Sequence, residues 1–172
     1  MLNERVQHPP PQTFGPCSVR FEGCEQAVAE AIGECTQVVG CVAWLRSKPI
    51  LRALERVPCS IAITNDVKLP DYSALTPHLA GGPAVRKVGT ARGRFRQLMH
   101  HKFIVGFRDN KPSFVITGSF NFTGSQNLEN IVRIEDRRCA EMYLQEARQV
   151  LSIGRPVSTT RRAAARTKRK RG

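Results

Sequence analysis

The apolar positions change period several times along the chain, and each change marks an element. From Glu22 to Cys35 they recur as Cys24, Ala27, Val28, Ala31, Ile32 and Cys35, the spacing of one helical face. Val38 to Leu45 is a denser, β-branched run that carries Trp44 and predicts a strand. Ser47 followed by Pro49 predicts a helix start, and Ile50, Leu51 and Leu54 give that helix a buried stripe through Glu55. Cys17 to Phe21 and Cys59 to Thr64 read as strands on either side of this region. Strand, helix, strand, helix, strand in that order predicts a parallel α/β arrangement.

Beyond Thr64 the pattern breaks, and residues 65–83, with three prolines and two glycines, predict a loop or crossing segment. Ala84 to Val88, Gln97 to Phe107, Ser113 to Thr117 and Asn130 to Ile134 read as further strands. A turn at Arg108–Pro112 joins two of them, and a helical turn is expected over 122–128. From Asp136 to Leu151 the residues Cys139, Met142, Tyr143, Ala147, Val150 and Leu151 predict another amphipathic helix. The expectation is one α/β domain over 17–153, a mixed and largely parallel sheet flanked by helices. An irregular lead-in with four prolines (1–16) precedes it, and a disordered tail (154–172) follows.

Charge sharpens this picture. The 172 residues carry a formal net charge of +13, which favours anionic partners such as nucleic acid, phosphate compounds or anionic membrane surfaces. Residues 155–172 hold eight basic and no acidic residues, which leaves the body with about +5 of that surplus. A tail of this kind reads as a non-specific nucleic-acid attachment, or as a solubilising extension. No apolar run approaches the ~20 residues of a membrane span, and the first residues have no signal-peptide character. A cytoplasmic protein is expected. Six cysteines occur without a Cys-x-x-Cys pair and mostly inside apolar patterns, which predicts reduced core thiols.

Two short runs carry the chemistry, Met-His-His-Lys-Phe-Ile-Val at 99–105 and Gly-Ser-Phe-Asn-Phe-Thr at 118–123. Strand side chains alternate, so His100 and Lys102 share one face while His101 and Phe103 share the other. Ser119 and Asn121 share a face in the same way. Imidazole, ammonium, hydroxyl and carboxamide on one face suit a phosphodiester: a nucleophile for phosphorus, a cation for its charge and donors for its oxygens. No cofactor and no metal are implied, because no carboxylate cluster accompanies them. His101 is expected to be buried packing.

His-His-Lys, a short strand, Gly-Ser-Phe-Asn-Phe-Thr and Asn-Leu-Glu-Asn-Ile-Val together resemble the HKD motif of the phospholipase D superfamily, most strongly over 97–135. Within it the chain is most similar to the small single-motif nucleases. The resemblance implies that His100 attacks phosphorus to form a phosphohistidine. It implies that Lys102, Ser119 and Asn121 hold the non-bridging oxygens, and that Glu129 orients His100. It also places Arg86, Lys87, Arg92, Arg94 and Arg96 near the substrate groove. The family's Asp normally lies four residues after the Lys; here Asp109 comes later, which predicts a longer hairpin. The family uses two histidines, nucleophile and general acid. Neither His8 nor His78 repeats the motif, so a homodimer sharing one active site through His100 of each copy is expected, with His78 as the alternative acid. The function expected is a metal-independent nuclease of low sequence specificity acting on DNA or RNA. The alternatives are a phospholipid hydrolase and a non-catalytic nucleic-acid-binding module.

Overall fold

Alternation decides which side of a strand is buried, and here both sides of the central strands are. The computed structural model describes residues 10–65, 72, 75, 84–90, 97–124 and 127–157. Among these, nine strands form one sheet: β1 (Gln12–Phe14), β2 (Cys17–Arg20), β3 (Gln37–Val42), β4 (Cys59–Thr64), β5 (Val85–Val88), β6 (Lys102–Arg108), β7 (Lys111–Gly118), β8 (Ile131–Ile134) and β9 (Arg155–Pro156). Three helices flank it: α1 (Cys24–Gly33), α2 (Lys48–Leu54) and α3 (Arg137–Ser152). The spatial order is β1-β2-β8-β7-β6-β3-β4-β5-β9.

The mixed, helix-flanked sheet of one domain is the architecture expected, but parallel pairing is scarcer than expected. Only β3–β4 and β4–β5 are parallel neighbours, while the other six pairs are antiparallel. The reason lies in the hairpin-linked strands β6, β7 and β8. They insert between β2 and β3, so the crossover through α1 joins two strands that run the same way without touching. A strand–helix–strand pattern fixes direction and leaves adjacency open.

One face of the sheet packs Val38, Val42, Ile61, Ile104, Phe114 and Ile116 against Val28 and Ile32 of α1 and Ile50 and Leu54 of α2. The other packs Cys41, Phe103, Val105 and Val115 against Ala140, Leu144, Ala147 and Val150 of α3. Burial on both faces explains why β3 and β6 read as nearly continuous apolar runs. Each fully buried side chain such as Ile104 or Phe114 contributes about 1.5–3 kcal/mol. Gly106 in β6 has no room for a side chain: a Cβ there would run into the Phe114 ring and Cys35 Sγ.

Local signals placed the helices well. Ser47 caps α2, accepting a hydrogen bond from Ile50 N–H at 3.2 Å, with Pro49 in the first turn. Asp136 caps α3 through Cys139 N–H at 2.7 Å. The stripe of α3 differs from the expected one. Met142 is 71% exposed, whereas Ala140 and Leu144 are buried. The two alanines let the helix axis approach the sheet closely, and that approach sets the inward face more than the largest apolar side chain does.

Four further expectations shift. The lead-in is not wholly irregular, since Gln12–Phe14 forms β1 and pairs with β2 across a turn at Gly15, φ 58°. The tail starts later than expected, since Arg155–Pro156 forms β9 beside β5 and Val157 packs on the core. The rest of the tail, 158–172, lies outside the described residues. The strand expected from Gln97 begins at Lys102, and only Leu98 before it makes a β-bridge, with Gly89. Over 122–128 the described residues show a bridge from Phe122 to Leu45 and a turn at Thr123 instead of a helix. Asp109 and Asn110, at φ 51° and 59°, form the two-residue turn between β6 and β7, as a lengthened hairpin requires.

Candidate active site

The parallel strands β3, β4 and β5 all finish at one end of the sheet, where open α/β folds place their ligands. β6 starts there, with Lys102 opposite Val42, and β7 and β8 meet there at Gly118 and Ile131. His100, Lys102, Ser119, Asn121 and Glu129 therefore collect at this end, together with Trp44 just past β3. The 119–122 segment is held in place because Phe122 C=O accepts from Arg46 N–H at 2.6 Å and Ser47 N–H at 2.8 Å. It leaves β7 through Gly118, whose φ of 151° and close approach to the Asn130 carbonyl exclude a side chain.

His100 and Lys102 meet as alternation predicts. Lys102 Nζ lies 3.1 Å from His100 Nδ1 and 3.4 Å from Nε2, and it donates to the His100 carbonyl at 3.1 Å. An ammonium only donates, so the ring nitrogen in this contact is an acceptor. Trp44 meets the imidazole edge-on, with ring centroids 5.4 Å apart and planes at 85°. The ammonium lies 6.0 Å from the indole centroid, within cation–π range. Burial lowers the Lys102 pKa, and the Glu129 carboxylate acts in the opposite sense. Trp44 joins the site although no motif residue points to it. It is the chain's only tryptophan, set just past the carboxyl end of a buried strand, and that position was the available signal.

The remaining predicted residues divide. The Ser119 hydroxyl accepts from Asn130 N–H at 3.0 Å, so it closes the junction between β7 and β8. Asn121 Oδ1 is buried with no hydrogen-bond partner; Thr64 Oγ1 is the other such oxygen among the described residues. An orphan acceptor inside a protein is costly and marks a place where a partner is expected. Glu129 acts electrostatically on Lys102, and among the described residues it makes no hydrogen bond to His100. His101 faces α3, as alternation requires, but it is not buried. Its ring lies 3.2 Å from Glu146 Oε1 and is about half exposed, edge-on to Phe103.

Arg86 donates to the carbonyls of Leu151 at 3.5 Å and Gly154 at 3.2 Å, which ties it to the carboxyl end of α3. Lys87 lines a cavity at the β5–β9 edge. Arg92, Arg94, Arg96, His8 and His78 lie outside the described residues. The six cysteines are free thiols, and burial pushes Cys35 to about 11 and Cys41 and Cys59 to about 12. No helix among the described residues is long and apolar enough to cross a membrane.

A histidine–lysine pair at the carboxyl end of a mixed sheet, followed by a Ser-x-Asn strand exit, is the arrangement that the resemblance to the HKD motif implies. The family model described as "Cardiolipin synthase, PLD-like domain" matches residues 60–151, and the chain belongs to the phospholipase D superfamily. Its curated relatives include proteins named phospholipase D from Rickettsia prowazekii and Rickettsia felis. They are 53% and 51% identical over 51 residues, 28% of this chain. The match spans only about a quarter of those relatives' own length. Among solved structures, the phospholipase D family member Nuc from Salmonella typhimurium superposes with a TM-score of 0.60. It is 21% identical over 87% of this chain and all of that one. NucT from Helicobacter pylori gives a TM-score of 0.59 at 16% identity, over 82% of this chain and 98% of that one. The fold is shared with both.

Proposed function

We propose that this chain is a metal-independent phosphodiesterase, a nuclease of low sequence specificity that works through a covalent phosphohistidine. The observation that carries this reading is the contact of His100 with Lys102 at the carboxyl end of the sheet, braced by Trp44. A ring nitrogen of His100 attacks phosphorus, forming an N–P bond as the bond to the leaving oxygen breaks. A second imidazole gives that oxygen a proton. Water then attacks phosphorus, the N–P bond breaks, and the second imidazole takes the proton back from the water. Lys102, with Ser119 and Asn121, offsets charge on the non-bridging oxygens. Glu129 favours the charged form of Lys102 throughout.

The chain supplies one such motif, so the second imidazole in this reading is His100 of another copy, in a two-fold dimer. A net charge of +13 supports a polyanionic substrate, held mainly by phosphate contacts that carry no sequence information. A second reading, phospholipid hydrolysis, draws on the names of the family model and of the relatives. It also draws on Leu98, which is exposed and lines a cavity together with His100.

The test is incubation of wild type and His100→Ala with single- and double-stranded DNA, RNA and anionic liposomes in EDTA. The expected result is nucleic-acid cleavage that persists in EDTA and disappears in the variant. Headgroup release without strand cleavage would move the reading to lipid. An equally active variant would remove His100 from the chemistry.

A further inference from the structure

Lys87 and Arg155 are register partners across β5 and β9. Residues directly opposite in an antiparallel pair point to one side, with Cβ atoms about 4.5–5.5 Å apart, and like charges there destabilise the pair. Neither cation has a carboxylate partner among the described residues. Other crowded cations of the molecule are neutralised: Arg108 and Arg133 share Glu34 and Glu135. At the β5–β9 edge the positive charge is left open, facing a cavity of about 670 Å³. Asn65, Gly89, Thr90 and Ile153 also line it, with no acidic residue among its described walls.

This cavity continues toward the active site. A second cavity of about 530 Å³, lined by Leu98, Met99 and His100, shares Gly89 and Ile153 with the first. Leu98 is 42% exposed and Ile153 73% exposed, so the two cavities meet at an apolar ledge. Lys87 is two residues from Gly89, and His100 two from Gly89's bridge partner Leu98. Each stretch is about 6.6 Å of extended chain. The backbones of Lys87 and His100 therefore lie within about 20 Å, the reach of a few nucleotides. A polymer that alternates anionic phosphates with flat apolar bases fits a groove that alternates cation, ledge and nucleophile.

We propose that Lys87 and Arg155 form a second phosphate subsite, which holds a neighbouring phosphodiester of a polynucleotide whose scissile phosphate lies at His100. This rests on the nuclease reading and sharpens it, because a phospholipid with a single phosphodiester has no second one to place there. The anion also accounts for the like-charged pair, since it bridges two cations that otherwise repel.

The test compares binding of a single strand of roughly 12 nucleotides with that of a dinucleotide, using wild type and Lys87→Gln/Arg155→Gln. The control, Lys111→Gln/Arg138→Gln, removes the same charge at the opposite end of the sheet. The expected result is about a tenfold or greater loss of affinity for the longer strand, several times the loss for the dinucleotide. The slope of log affinity against log salt should fall by about 0.7, the value for one single-strand phosphate contact. Inorganic phosphate should raise the thermal midpoint of wild type more than that of the double variant, which also reports that the variant is folded. If wild type cleaves the strand while the double variant keeps its affinity and salt slope, the subsite is wrong and the nuclease reading stands. Equal losses at both lengths, or equal losses in the control, also overturn the subsite. If wild type acts on liposomes and on no nucleic acid, both readings fall.

Discussion

Lys102 is held between two opposed influences. Burial disfavours its charged form, and the Glu129 carboxylate favours it. Removing the carboxylate leaves burial unopposed, so in Glu129→Gln the ammonium loses its proton at lower pH than in wild type. A pH–rate profile should show the alkaline limb moved to lower pH; an unmoved limb would mean that Glu129 does not act through Lys102. Glu34 illustrates the opposite case at the far end of the sheet. The Arg133 guanidinium, 2.7 Å away and stacked over Phe114 at 4.2 Å, holds its carboxyl down to about 2, with Arg108 adding to the effect. A carboxylate with a depressed folded pKa stabilises the protein above its unfolded value, here 4.5, and that stability is lost as pH falls from there to about 2. The Glu34 side chain is 43% exposed, so solvent screens the gain to about 1 kcal/mol. Glu34→Gln should therefore be less stable than wild type by that amount in urea at pH 7, with the gap narrowing once the pH drops below 4.5. A constant gap would assign the loss to packing.

At the scale of elements, Arg86 is the sharpest case, because its sequence context and its structure point to different work. It sits in a basic stretch before the motif, yet its guanidinium holds the Leu151 and Gly154 carbonyls at the end of α3. A cation at a helix carboxyl end contributes up to about 1 kcal/mol. Arg86→Gln should lower the thermal midpoint and leave the salt slope of nucleic-acid binding as in wild type; a flatter slope would return Arg86 to the groove. The contrast shows what could be read from the chain. Ser47, Pro49 and the stripe of α2 are local signals, and β4 falls where its β-branched run falls. The shared face of His100 and Lys102 follows from a two-residue period alone. Burial of His101 and of Met142 depended on how closely α3 approaches the sheet, which its alanines decide. The antiparallel majority, the short edge strands β1 and β9, and Trp44 against His100 all depend on contacts between distant segments. Periodicity carries no record of those.

At the scale of the whole molecule, one motif per chain turns a question of mechanism into one of stoichiometry. If each active site needs His100 from two copies, a mixed dimer of wild type and His100→Ala is dead, because it lacks either the nucleophile or the acid. Equal amounts of the two, left to exchange subunits, pair at random into about one quarter wild-type dimers, one half mixed and one quarter variant. Activity should then fall to about one quarter of that shown by the same total of wild type. If each chain carries a complete site, with another residue as the acid, activity falls only to about one half. Light scattering on the same samples fixes the oligomeric state, and a fully active monomer ends the shared-site proposal outright. The quarter arises only when the two imidazoles act in one reaction, so a ratio of rates reports on the pairing of His100 with His100 across the two-fold.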